Sequence, residues 1–169
     1  MLLRNYYLIL EGGFTGRTKT LTNVSGTKVD VYFKEYSRSW FVAGSPTYCG
    51  FYMQLNSPEG NTDYGIVVGT SDTPVSLYDY YINKIPHGTS SGQLYYYATE
   101  VKDVVVNGNI IELEVARKLS NQTDDDILVN EFGVIAKVSG YFLIAREVSP
   151  TTVPSGGLLE VSFKFKTTV

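Results

Sequence analysis

Glu112 and Glu114 are the first residues whose type and spacing could support acid–base chemistry. Glycoside hydrolysis requires two carboxyl groups about 5 to 10 Å apart on either side of a sugar bond. These glutamates alternate with Ile111, Leu113 and Val115, so they occupy the polar face of a regular β-strand. The pattern predicts a solvated strand face, not a catalytic pair.

The other candidate chemical groups are an aspartate cluster and a single histidine. Asp124, Asp125 and Asp126 could begin a site for a hard cation such as calcium. Their spacing lacks the alternation of a calcium-binding loop, which favours a solvated connection between strands. His87 lies in an Ile-Pro-His-Gly turn without a recognisable nucleophile motif. We therefore predict a non-enzymatic chain with no catalytic residue, no metal site and no cofactor.

Tyrosine is unusually frequent, with 14 in 169 residues. Three consecutive tyrosines in one strand must place rings on both faces, so at least one ring faces away from a single core. Such rings suit protein contacts and also stack on sugars, although burial of both strand faces is the structural alternative. The candidate contact or sugar-stacking residues are Tyr78, Tyr80, Tyr81, Tyr95, Tyr96, Tyr97 and Trp40.

Composition narrows the range of partners. With 14 basic and 17 acidic residues and a net charge of −3, the chain lacks the clustered positive charge that nucleic-acid binding needs. Cys49 is the single cysteine, so no disulfide can form within one chain. No stretch approaches the roughly 18 apolar residues of a membrane helix. We predict neither a nucleic-acid nor a membrane partner.

Short strand-like segments separated by turn residues recur along the chain, and the last one alternates almost perfectly between apolar and polar residues. Only Pro74–Ile85 could be helical, over one or two turns. This pattern predicts an all-β fold, an antiparallel β-sandwich of jelly-roll or immunoglobulin-like topology, in a single domain over residues 1–169. The predicted strands are Leu3–Leu10, Lys28–Lys34, Trp40–Ala43, Tyr48–Leu55, Tyr64–Gly69, Gln93–Val106, Asn109–Leu119, Asn130–Val138, Tyr141–Val148 and Leu158–Thr168.

Three local features refine this prediction. The Asn107-Gly108 pair predicts a hairpin with a type I′ turn. In the strand that leaves this turn, Arg117 interrupts the inward-facing apolar set, which predicts that the strand reaches the edge or rim of the sheet there. Residues 1–20 are interpreted as an N-terminal arm or edge strand that lies against another subunit or covers a sheet edge.

Several blocks of the sequence resemble small virion proteins of tailed bacteriophages. They are the start Met1–Tyr7, the segments 66–70 and 73–80, and Val129–Gly133, Leu143–Val148 and Thr152–Gly157. The resemblance implies a structural protein of the capsid (decoration, cement or head-fibre) or of the tail. It also implies location in the virion after synthesis in the host cytoplasm.

We therefore expect a structural virion subunit that contacts other capsid or tail subunits and forms a homo-oligomer. The alternative is a carbohydrate-binding or adhesion module that uses the tyrosines and Trp40. A small hydrolase or lyase on a β scaffold is the third class, and no catalytic set in the sequence favours it.

Overall fold

The structure, a computed structural model, describes residues 1–33 and 53–168. Within these residues the chain forms one α-helix followed by nine β-strands. The elements are α1 Arg4–Thr15, β1 Lys19–Thr22, β2 Lys28–Val31, β3 Gly65–Gly69, β4 Tyr95–Val101, β5 Val105–Asn107, β6 Ile110–Ser120, β7 Ile127–Lys137, β8 Tyr141–Val153 and β9 Leu158–Thr168.

Two antiparallel sheets carry most of the structure. In the first sheet, β7 lies between β3 and β8. In the second, β6 is central: β9 pairs with its whole length on one side, and β5 and β4 pair with its two ends on the other. A separate β1–β2 hairpin packs next to α1.

The main core contains side chains from both large sheets. Val134 and Ile144 from the first sheet belong to the same buried cluster as Val115, Tyr96 and Val161 from the second. Alternation along β9 brings Val161, the partly buried Phe163 and Phe165 to this side, as its period of two predicted. The fold is an all-β antiparallel sandwich, which confirms the predicted class.

The outer face of the first sheet is also covered. Ile135 and Leu143 point away from the main core and form a second cluster with Leu3, Tyr64 and Ile82. Strand β7 is consequently buried on both faces from Glu131 to Ala136. The segment 70–85, which supplies Ile82, is therefore a covering layer over this sheet.

The strand predicted over Leu3–Leu10 is wrong, because most of this segment is helical. Only residues 1–3 are extended, and they pair with the edge of β8 through Leu2 and Ala145. Helix α1 then buries one stripe that includes Asn5, Ile9 and Gly12, where any side chain on Gly12 would overlap the Phe33 ring. A nearly continuous apolar run does not distinguish a strand from a buried helix.

Two other local predictions need correction. The segment Pro74–Ile85 forms a turn and irregular chain instead of helix. The hairpin at Asn107 is confirmed, since Asn107 pairs with Ile110, but the turn residues are Gly108 and Asn109. Gly108 has a φ of 57°, whereas the φ of Asn109 is not positive. This combination fits a type II′ turn and not type I′.

Candidate functional site

The first tyrosine cluster lies on the covering layer, at its solvent side. Tyr78 is 75% exposed and Tyr81 53% exposed, and the rings of Tyr80 and Tyr81 lie 5.5 Å apart. With Leu77, itself 52% exposed, they form an exposed surface that we call the tyrosine loop, residues 77–81. A single exposed apolar residue is ordinary on a protein surface, but a contiguous aromatic group is typical of a contact surface.

A buried ionic network fixes the tyrosine loop to the first sheet. Arg146 donates from Nε to the Glu131 carboxylate and from a terminal nitrogen to Asp79, both at 2.8 Å. The other Glu131 oxygen accepts the backbone N–H groups of Ser71 and Asn83, at 3.2 and 2.9 Å. Burial alone would lower the pKa of Arg146, but the hydrogen bonds to Glu131 and Asp79 outweigh burial and raise it.

The second tyrosine cluster divides between the two faces of β4, as three consecutive rings in a strand require. Tyr96 is fully buried and its hydroxyl donates to the Ile85 carbonyl at 2.8 Å, and burial raises the pKa of this phenol. Tyr95 and Tyr97 lie together on the outer face, with ring centroids 5.3 Å apart. Tyr96 is therefore a core residue, and only its two neighbours are accessible for contact.

A groove of about 510 Å³ lies on the outer face of the second sheet next to Tyr97. Ala98 and Ala116 are among its small lining residues, while Glu59 and Lys118 supply polar groups. The hydroxyl of Tyr95 bonds the Glu59 carboxylate. An exposed ring beside small residues and hydrogen-bonding groups could accommodate a sugar, since sugars bind by stacking and by polar contacts.

His87 supports this cluster from the side. Its Nδ1 accepts the backbone N–H of Tyr96 at 3.1 Å, and its ring lies 4.9 Å from that of Tyr95. The histidine is half-buried, so it packs against the tyrosine strand.

Trp40 lies outside the described residues, so the structure gives no position for this candidate.

The predicted solvated connection at Asp124–Asp126 is confirmed, because all three aspartates are exposed. Within residues 1–33 and 53–168, no group of three or more His, Cys, Asp and Glu side chains is arranged to hold a metal ion.

Glu112 and Glu114 belong to a charged ladder across the outer face of the second sheet. Lys164 and Lys166 of β9 lie 2.9 and 3.0 Å from the Glu112 carboxylate, and Lys102 lies 2.6 Å from Glu114. Hydrogen bonds from these lysines lower the pKa of both glutamates. The two carboxyl groups are thus stabilised as anions on a solvated strand face, as the sequence pattern predicted.

Acid is expected to remove the stability that this ladder contributes. Because the folded-state pKa of Glu112 lies below the unfolded value of 4.5, the unfolded state binds more protons between the two values. The contribution is complete above the unfolded pKa and is lost as pH falls through the folded pKa. As the pH decreases from about 6 to about 3, the thermal unfolding midpoint should fall less steeply for Glu112→Gln than for the native chain. Equal slopes, or a difference that persists in about 1 M salt, would contradict this origin.

Arg117 is the largest departure from the sequence prediction, because it lies in the core and not at a sheet edge. The residue is 1% exposed, and its register partners Thr99 and Val161 place it in the middle of the second sheet. It continues the inward-facing set of β6 with Val115 and Leu119, both fully buried. The available sequence signal was the position of Arg117 between Val115 and Leu119 in the same alternating set, which indicated an inward position.

Carbonyl oxygens surround the Arg117 guanidinium. It donates to the carbonyls of Tyr97, Ile66 and Asn61 at 2.6, 2.7 and 2.8 Å. The guanidinium carbon also lies 4.8 Å from the centre of the Tyr96 ring. Burial lowers the pKa of Arg117 to about 10, so the group still carries its charge at neutral pH. It joins the second sheet to β3 and to the loop before β3.

The hairpin of β5 and β6 carries an aliphatic surface that the sequence analysis did not select as a site. Its five exposed members, from 40 to 68% exposed, are Val104, Val105, Val106, Ile110 and Ile111. Pairing of Val106 with Ile111 and of Val105 with Glu112 assigns these side chains to both faces of the hairpin. A strand that is apolar on both faces is normally buried on both. The available signal was the run of three valines before the Asn-Gly pair.

Comparisons do not add a family to these observations. No protein-family model, no curated protein and no solved structure matches the chain.

Among residues 1–33 and 53–168, no helix has the length and apolar character needed to span a bilayer.

Proposed function

We propose that this chain is a non-enzymatic structural subunit of a viral particle, associated with the capsid or the tail, which acts through contacts with other virion subunits and with copies of itself. The observation that carries the proposal is the aliphatic hairpin, where Val104, Val105 and Val106 are each more than half exposed. Exposed apolar side chains grouped in one hairpin, on both of its faces, are typical of a protein interface. The resemblance of several sequence blocks to phage virion proteins suggests the kind of assembly, with synthesis in the host cytoplasm and location in the virion.

The tyrosine loop provides a second contact surface on a different part of the sandwich. The buried network of Arg146, Glu131 and Asp79 holds the backbone under the exposed rings. Binding through a preorganised loop loses less conformational entropy than binding through a free one. Surfaces on two parts of one rigid sandwich would allow a subunit to contact more than one neighbour.

The buried charges agree with this proposal. Within the described residues, every buried side-chain nitrogen or oxygen has a hydrogen-bond partner. Arg117 and Arg146 use their donors on carbonyls and carboxylates of their own chain. These hydrogen bonds tie both buried arginines to their own sandwich, as a rigid structural subunit requires.

Co-sedimentation with purified particles of the encoding virus tests the proposed function. We expect the native chain to fractionate with particles and Tyr78→Ala/Tyr81→Ala to reduce the retained fraction about tenfold, a loss of about 1.4 kcal/mol. Both rings are mostly exposed, so the thermal midpoint should hardly change. Tyr32→Ala, at a tyrosine that is 68% exposed elsewhere, is the matched control. A chain that never fractionates with particles overturns the proposal.

Carbohydrate binding is the second candidate function, and the groove next to Tyr97 favours it. A sugar ring stacked on Tyr97 could reach the polar groups of Glu59 and Lys118, which line the same groove. If the chain binds glycans, Tyr97→Ala should abolish the signal on a glycan array, whereas Tyr32→Ala should retain it. Binding that survives Tyr97→Ala would exclude this groove as the site.

A further inference from the structure

Apart from β5, the outer strands of the two large sheets are covered or charged along at least part of their length. Edge strand β8 is covered at its first half by residues 1–3, where Leu3 donates to the Ile144 carbonyl at 2.8 Å. Strand β3 is covered by the segment that contains Ile85, which donates to the Val68 carbonyl at 2.9 Å. Covering or capping an edge in this way prevents unwanted pairing with another chain.

The remaining edges are protected by backbone contacts and by charge. Thr99 of β4 donates its backbone N–H to the Ser57 carbonyl at 2.8 Å. Strand β9 presents Glu160, Lys164 and Lys166 in alternation, and charged side chains on an edge oppose strand addition.

Strand β5 has neither kind of protection within the described residues. It pairs with β6 on one side, and no other described strand pairs with it. The sequence Val105-Val106-Asn107 contains no charge, and all three residues are exposed. An uncharged, β-branched edge with free backbone groups is suited to pairing with another strand.

The hairpin geometry indicates which backbone groups of β5 are free. The residues that flank a two-residue turn exchange hydrogen bonds, so Asn107 bonds with Ile110 across the Gly108-Asn109 turn. Alternation along an antiparallel ladder then directs the N–H and C=O of Val106 away from β6. Val104, two residues earlier, is oriented in the same way.

We propose that a second copy of this chain is the partner, and that β5 of one subunit pairs antiparallel with β5 of the other about a twofold axis at Val105. This inference rests on the proposed function and specifies one of its subunit contacts. Val104 and Val106 then exchange hydrogen bonds with the partner's Val106 and Val104. The two Val105 residues face each other as a non-hydrogen-bonded pair.

Charge and side-chain chemistry agree with pairing between identical strands. In this register Asp103 faces the partner's Asn107, so no two like charges lie directly opposite, an arrangement that would be destabilising. β-Branched residues pack well as cross-strand pairs. The two second sheets would form one continuous sheet, with the exposed valines of both hairpins in contact across the axis.

Site-specific disulfide formation tests the register. In a Cys49→Ser background, Val105→Cys is expected to give a covalent dimer under mild oxidation, because residues opposite in a non-hydrogen-bonded pair lie about 4.5 Å apart at Cα, within disulfide range. Leu128→Cys, at an exposed leucine of the first sheet, is the control and should remain monomeric. Equal cross-linking of both variants, or none at residue 105, overturns the proposed register.

Sedimentation velocity tests the dimer itself and separates this inference from the proposed function. The native chain should be dimeric, and Val106→Lys should weaken the dimer at least about tenfold without a change in the β-sheet circular dichroism spectrum. Leu128→Lys, at the exposed control position, should leave the dimer intact. A native monomer that still co-sediments with particles overturns this inference alone. A dimer that never co-sediments overturns the proposed function and leaves the self-pairing in place.

Discussion

Arg117→Met should lower the free energy of unfolding by about 3 to 5 kcal/mol. Methionine can fill much of the same volume against the Tyr96 ring, but it donates no hydrogen bond. The carbonyls of Tyr97, Ile66 and Asn61 would lose the donors that now lie within 2.8 Å. Each unpaired buried polar group costs about 1 to 3 kcal/mol, so partial relaxation still leaves a large loss.

Urea unfolding followed by circular dichroism measures this loss. Lys118→Met is the matched control, because Lys118 is the next residue of β6 and is exposed; its effect should stay within about 0.5 kcal/mol. Arg117→Lys should fall between the two, since an ammonium keeps the charge but not the planar fork of donors. A loss below about 1 kcal/mol for Arg117→Met would mean that the carbonyls find other partners, and that Arg117 is not the link between β3 and β6.

The second large effect is expected at Glu131. Glu131→Ala should cost about 3 to 5 kcal/mol, because it leaves the buried Arg146 cation without its most buried counter-charge. It also removes the acceptor of the Ser71 and Asn83 backbone N–H groups. Amide hydrogen exchange in residues 71–83 should therefore increase more than exchange in β6.

A double replacement distinguishes the charge from the packing. Glu131→Leu combined with Arg146→Met removes both ions, and apolar replacement of a buried pair is often close to neutral. We expect this double variant to be more stable than Glu131→Ala, although it still lacks the loop's acceptor. Glu112→Gln, at a half-buried glutamate on the solvated ladder, is the control and should have a much smaller effect. If Glu131→Ala matches that control, the network does not hold the tyrosine loop.

Regular alternation made part of this structure readable from the sequence. Strand β9 alternates apolar and polar residues from Leu159 to Lys166, and its partner β6 does the same from Ile111 to Val115. A period of two has one structural solution when one face is buried. The all-β class and the solvated Glu112 face followed from this period, and the Asn107-Gly108 pair predicted the hairpin.

The helical conformation of the N-terminal segment could not be predicted from the periodicity of its residues. The run from Leu2 to Leu10 is apolar with few interruptions, so it has no period that separates helix from strand. Its conformation depends on what covers it: Leu3 and Ile9 are buried against distant parts of the chain. The same dependence explains why the segment 74–85 became a covering layer and not a helix.

The sequence by itself determined the β-sandwich class and the strand pair next to the Asn107 turn, because these follow from neighbouring residues and their period. Only the tertiary structure decided that Arg117 is a core residue, that Arg146 and Glu131 anchor the tyrosine loop, and that β5 is the edge left without protection. Those outcomes depend on carbonyls, carboxylates and covering segments brought together from 15 to 73 positions away. No local pattern specifies such partners, since a buried charge is stable only where the folded chain supplies the atoms that compensate it.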